Sequence, residues 1–231
     1  MSLAVLLARG LGAATHRLSY RFLFIPGTIG AITWLARNEN KVGMIEHGLV
    51  LSGVGDAGAL TYKRSRRGDA GVDRAFAHVL AQSSRPSQII DFDPYGYDER
   101  QYCSPGFDLP VGSLSRTPYG QYPEYHTSAD DLDFVKAESL GESFRTLVEV
   151  VDVLEHNRTY LNLNPKCEPQ LGRRGLYAGP GDAERALLWV LNQSDGRHDL
   201  LEIAERSGLG FAQVRQAADR LLEAGLLQLL R

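Results

Sequence analysis

The sequence predicts an α/β domain, built on a mostly parallel sheet covered by helices on both faces, followed by a small winged-helix domain. Three observations predict it. Strand-like runs alternate with helix-like runs through roughly the first 90 residues, the pattern of a sheet with crossover helices. A long apolar stripe over 137–158 then gives way at 161–180 (LNLNPKCEPQLGRRGLYAGP) to a stretch rich in Pro, Gly and Asn, which marks a boundary. Beyond that boundary lie three short helical patterns and a closing apolar run, the layout of a winged helix-turn-helix.

Each element has its own reason. Leu3, Leu6, Leu7 and Leu11 share one face of an N-terminal amphipathic helix. Residues 18–25 (LSYRFLFI) are aromatic and branched, which predicts a buried strand, and Pro26 and Gly27 end it. A helix is expected over 29–38, strands over 44–54 and 59–64, a helix over 72–82 with Phe76, Val79 and Leu80 inward, and a strand over 88–92. Between 91 and 133 only PVGSL at 110–114 reads as a strand, and so long a loop within a compact domain points to function. Leu140, Phe144, Leu147, Val151 and Leu154 form the stripe of the 137–158 helix, which is packing. The domains are therefore expected at 1–160 and 181–231 with a linker at 161–180. In the second, helices are expected over 183–193, 199–206 and 211–224, with an SGLG turn before the last.

Composition narrows the function classes. With 231 residues, 43% of them hydrophobic, the chain can bury one sizeable core and a smaller one. A net charge of -3 gives no global attraction to nucleic acid or an anionic membrane. Cys103 and Cys167 stand far apart without a CxxC pattern, which argues against a disulfide framework or cysteine zinc site and fits a reducing cytoplasm. Arg9 interrupts the apolar N-terminus, and no run approaches the ~20 apolar residues of a membrane span, so a soluble protein is expected. The last helix offers Gln213, Arg215, Gln216 and Arg220 against Asp219 and Glu223. That near-neutral face predicts protein interaction rather than DNA binding.

The chemistry-bearing stretch runs from Tyr97 to Val135, where Asp98, Glu99, Asp108, Glu124, Asp130 and Asp131 surround one histidine, His126. Loops at the carboxyl ends of strands are where α/β sheets build sites. Asp98 or Glu99 could serve as a base or ligand, or form an acidic turn paired with Arg100. The TYKR run (Tyr62, Lys63, Arg64) could bind an anionic group, or be a solvated edge strand. Ser128 could cap a helix start, fixing His126 in a pocket shared with the Asp98–Cys103 loop.

The EYHTSADDLDFV segment resembles the last metal-ligand motif of the zinc aminopeptidase superfamily. RFLFIPGTIGAITWLARNE, GDAGALTYKRSRRGD, GYDERQYCSPGFDLPVGSL and PKCEPQLGRRGLY more closely resemble a bacterial aminopeptidase-like family of poorly defined function that ends in a winged helix. The resemblance implies the C-terminal part of an exopeptidase-like sheet, zinc in an intact member, and a peptide or amide-linked small substrate, with a link to surface-polysaccharide biosynthesis. It carries His126 over as a metal ligand and leaves Asp56 as the nearest carboxylate to a second. Asp98 and Glu99 become the catalytic candidates, and Tyr62, Arg64, Arg100 and Tyr125 the substrate contacts. A histidine cluster and an Asn-Asp-Asn segment are expected upstream of the helix that matches 3–11, and this chain starts inside that helix. Pro26, Gly27 and Thr28 stand where a Glu-Glu pair is expected. The isolated chain is therefore expected to be inactive, with no membrane partner and homo-oligomerisation allowed. The alternative is a non-catalytic binding or regulatory protein on the same scaffold.

Overall fold

The computed structural model describes residues 1–176 and 181–230. The chain divides into two compact units, 1–155 and 156–231. Residues 177–180, the end of the expected linker, and Arg231 lie outside the described residues.

In the first unit, helix α1 (Ser2–Leu11) buries Leu3 and exposes Val5 and Leu6. The chain after it is clamped to the far end of the unit. The Glu155 carboxylate accepts from the Arg17 amide at 2.8 Å, the Leu18 amide at 3.1 Å and the Tyr20 hydroxyl at 2.5 Å. The expected strand over 18–25 does not form, because a strand exists only through a neighbour and no described strand pairs with this run. Helix α2 (Ile29–Asn38) begins after the Pro26–Gly27 break, as its pattern predicts.

Four strands, β1 (Gly48–Leu51), β2 (Leu60–Lys63), β3 (Ser87–Ile90) and β4 (Val111–Ser115), make one sheet in the order β1-β4-β2-β3. The β1–β4 and β2–β3 pairings are parallel and β2–β4 is antiparallel. Strand β2 is thus interior, and all four of its residues are buried, which overturns the edge-strand alternative for TYKR. Helix α3 (Gly71–Gln82) packs Phe76 flat on Tyr62, ring centroids 4.0 Å apart. The Tyr62 hydroxyl presses so close to β4 that a Cβ at Gly112 would lie 2.1 Å from it, so only glycine fits there. A second cluster joins Ala31 and Leu35 of α2 to Tyr102 and Cys103 at the short helix α4 (Glu99–Tyr102), and to Leu109 and Val111. The long helix α5 (Ala137–His156) buries Leu147, Val150, Val153 and Leu154.

The second unit opens with β5 (Thr159–Asn162), so the expected linker is strand at its start. Helix α6 (Asp182–Gln193), β6 (Asp195–Asp199), α7 (Leu200–Ser207), α8 (Phe211–Glu223) and β7 (Leu227–Leu229) follow, and the sheet is antiparallel in the order β6-β5-β7. Asp199 caps α7 by accepting from the Glu202 amide at 2.7 Å, and Gly208 closes it in the left-handed conformation that glycine tolerates best. Leu187, Leu201, Val214 and Leu221 form a dry core. Among the described residues, no helix is long and apolar enough to cross a membrane.

Candidate functional site

The antiparallel β2–β4 pairing decides what can meet. It sends the carboxyl ends of β2 and β3 to one edge of the sheet and those of β1 and β4 to the other. Glu99, which follows β3, and Asp56, which follows β1, are therefore not brought together as a carboxylate pair.

At the first edge, Lys63 ends β2 and its ammonium donates to Glu99 Oε1 at 2.9 Å and to the Tyr95 carbonyl at 2.7 Å, 5.6 Å from the Phe92 ring centre. Glu99 is 1% exposed, and a Cβ at Gly96 would lie 2.2 Å from Oε1, so the loop before α4 must carry glycine there. Oε2 of Glu99 is buried with no hydrogen-bond partner among the described residues. The buried partner of Glu99 is thus Lys63, not Arg100, whose Nε is itself buried without a partner among the described residues. Asp98 turns the other way and accepts from the Thr28 amide at 2.5 Å. Thr28 has φ +61°, a costly conformation for a β-branched residue, and this bond helps to hold it. The acidic turn thus reaches the Pro26–Thr28 segment where the resemblance expects two glutamates. A Cβ at Gly27 would meet nothing within 4 Å, so space for a larger side chain exists.

At the other edge, Asp56 is 3% exposed and already engaged. It accepts from the Thr117 hydroxyl at 2.6 Å, the Gly58 amide at 2.8 Å and the Thr117 amide at 3.2–3.3 Å. Its neighbour Arg116 is buried and donates to the Gly58 and Ser139 carbonyls and to Glu142. These contacts knit the loop after β1 to that after β4.

His126 is exposed, at φ +57°, with its ring stacked on Tyr125 at 3.9 Å between centroids. The expectation that it faces into a pocket is corrected. The helix that Ser128 was to cap starts later, at Ala137, and 127–135 form turns in which Asp131 accepts from the Asp133 and Phe134 amides. Tyr125 belongs to a chain of rings: Tyr119 sits edge-on to Tyr97 and Tyr125 and tilted against Tyr95, and Tyr122 packs on Tyr125 and Phe134. Burial, with a hydrogen bond to Tyr97, pushes the Tyr125 phenol up, and burial pushes Tyr122 up to about 12.

The other expected substrate contacts are reassigned. Tyr62 is fully buried and donates to Asp73 at 2.8 Å, so it is core. Arg64 donates to the Gly68 carbonyl at 2.6 Å and faces Asp91 at 3.5 Å. Sequence reasoning missed Asp73, which also accepts from the Ser65 amide and hydroxyl and from the Ala70 amide. Its signal was legible: an acidic residue three positions after the residue that caps a helix start reaches back to the free amides there. A catalytic zinc needs about three protein ligands and an open position. Among the described residues, no three His, Cys, Asp or Glu side chains converge so as to hold a metal. With Asp56 saturated by donors and His126 stacked at the surface, the described residues by themselves do not fit zinc.

Similarity to known proteins runs the length of the chain. Residues 1–157 match a family model described as "Domain of unknown function (DUF4910)", and 158–229 match one described as "winged helix-turn-helix". A Clostridium acetobutylicum protein named "Putative polysaccharide biosynthesis protein with aminopeptidase-like domain" is 49% identical over all of this chain and 54% of its own length. A crystal structure of a "putative peptidase" from Clostridium acetobutylicum superposes on 99% of this chain and 52% of its own, with TM-score 0.93 and 49% identity. An aminopeptidase from Aneurinibacillus sp. strain AM-1 gives TM-score 0.44 at 20% identity, over 54% of this chain and 30% of its own. The chain thus spans about half the length of the curated relative it matches. Because the first of these models covers more than half its residues, the chain belongs to the DUF4910 family, as an aminopeptidase-like protein ending in a winged helix.

Proposed function

We propose that this chain supplies one part of an aminopeptidase-like metallohydrolase that acts on a peptide or amide-linked small substrate in surface-polysaccharide biosynthesis, and that alone it does not turn over. The observation that carries this reading is the 49% identity, along the whole chain, to a relative whose name joins polysaccharide biosynthesis to an aminopeptidase-like domain. Zinc belongs to the intact enzyme, with His126 as this chain's contribution. No step is assigned to Asp56, whose lone pairs are taken by Thr117 and Gly58. Within the described residues, the group nearest to a base is Glu99, and Lys63 holds one of its two oxygens.

A non-catalytic reading has its own support: glycine stands at 27, and the buried carboxylates of Asp56 and Glu99 have structural partners. In either case the winged helix is an interaction module that does not read DNA. Helix α8 sets Arg215 and Arg220 against Asp219 and Glu223, too little charge for phosphate contacts.

The purified chain with added zinc is expected to leave aminoacyl-anilides intact and to retain less than one equivalent of zinc after desalting. Turnover that requires zinc and disappears with chelator would overturn the reading.

A further inference from the structure

Residues 18–25 keep the habits of a strand without a partner. Leu18, Tyr20 and Phe22 are half-buried while Ser19, Arg21 and Leu23 are exposed, the two-residue period of a strand packed on one face, which stops at Phe24, exposed, and Ile25, half-buried. Yet among the described residues no backbone-to-backbone hydrogen bond reaches 19–25. A row of amides and carbonyls is therefore open, which is the template on which another strand adds. The segment is held from its start, by the Arg17 and Leu18 amides on Glu155, and not by a neighbouring ladder.

Apolar surface continues beside it. An open groove between α1 and Phe24 is lined by Met1, Ser2, Val5, Leu6 and Phe24, and the last three are 51–54% exposed. At the start of α2, Ile29 and Ile32 are 62% and 44% exposed. The solved relative that superposes on 99% of this chain spends only 52% of its own length in doing so, so nearly as much polypeptide again lies outside the match.

We propose that 18–25, α1 and the start of α2 form an interface for a polypeptide equivalent to that unmatched part, which adds a strand along 18–25 and lays aliphatic side chains over Val5, Leu6 and Phe24. The open backbone selects the occupant. A lipid or small apolar molecule would cover the side chains but leave the amides and carbonyls unmet, and each such group is costly to bury. A second copy paired about the middle of the segment would bring two Arg21 side chains to neighbouring positions on one ladder, a like-charge contact. The inference rests on the family relationship and not on the proposed chemistry, so an inactive complex leaves it standing.

The test is amide hydrogen exchange on three samples: this chain alone, this chain coexpressed with the part of the Clostridium acetobutylicum relative outside the match, and the intact relative. Amides of 19–25 are expected to exchange near the unprotected rate in the first. They should slow at least 100-fold in a copurifying one-to-one complex, and the aligned segment of the intact relative should be slowed equally. Phe24→Ser, at an exposed position, should weaken copurification at least tenfold without shifting the melting temperature of the chain alone. The proposal fails if the coexpressed part does not copurify, or if it copurifies while 19–25 stay open. It also fails if the aligned segment of the relative is open, or if protection in this chain alone grows with its concentration, which would name a second copy as the occupant.

Discussion

The C-terminal unit pairs each of its strands, with β5 between β6 and β7, and closes its core so well that Leu187, Leu200, Leu201, Ile203 and Leu221 are all at most 1% exposed. Of the leucines it exposes, Leu161 and Leu229 sit on strands whose backbones are paired, the Leu163 and Leu230 amides donate to the Leu226 and Thr159 carbonyls, and Leu222 lies on helix α8. The N-terminal unit has an equally dry centre around Tyr62, Phe76 and Leu114. Its first 32 residues nevertheless leave five large apolar side chains between 44% and 62% exposed, and a strand-forming run without a ladder. The difference teaches that apolar content predicts the need for cover and is silent on which polypeptide provides it.

The sharpest way to break this comparison is at the dry centre of the first unit. Asp73→Ala would leave the Tyr62 hydroxyl, the Ser65 amide and hydroxyl and the Ala70 amide without their acceptor. A loss of about 3–5 kcal/mol is expected in that unit. Urea unfolding followed by hydrogen exchange should show it in 1–155 and leave 181–230 unchanged, and a loss under about 1 kcal/mol would mean that the network is dispensable. Leu221→Ala is the counterpart in the second unit, at an expected cost of about 3 kcal/mol from the cavity left by a side chain with no exposure. A transition that moves in the first unit instead would show that the two do not unfold separately.

Smaller effects come from acid. Burial raises the Glu155 carboxyl, but the Tyr20 hydroxyl and the Arg17 and Leu18 amides outweigh it and hold the group below its ordinary value. In Asp195, burial is likewise outweighed by the Arg197 amide and by the His198 ring and amide, which bring it down to about 2. Both groups are depressed in the folded state, so the stability they add is fully present above their ordinary values and drains away as pH falls through the folded ones. Acid titration of melting should therefore weaken both units below about pH 4, and Glu155→Gln should flatten the curve of the first unit alone. A Glu155→Gln curve that keeps the native slope would count against the Glu155 clamp. The smallest effect is expected at the open face, where Phe24→Ser should change stability by no more than about 0.5 kcal/mol, against several for Phe76→Ser in the stacked core. A large loss at Phe24 would mean that this face is already covered.

The regular elements were legible where local chemistry suffices. Pro26 and Gly27 forecast the break before α2, the apolar stripe forecast α5, and Asp199 and Gly208 carry the signals that start and stop α7. The site was less so. Tyr62 and Arg64 read as substrate contacts because a TYKR run offers donors to an anionic group, yet β2 lies between two strands and Tyr62 points its hydroxyl at Asp73. His126 read as buried because Ser128 looked like a cap, and the helix begins nine residues further on.

From its sequence alone this chain was committed to an α/β unit followed by a winged helix, because periodicity, turn residues and caps act over a few neighbouring residues. The tertiary structure alone decided that β2 runs antiparallel to β4, that Asp56 and Glu99 therefore serve opposite edges of the sheet, that Lys63 takes Glu99 as its partner, and that 18–25 stands unpaired. Ladder partners and buried ion pairs join residues tens of positions apart, and their energy depends on which surface arrives, which no local pattern encodes.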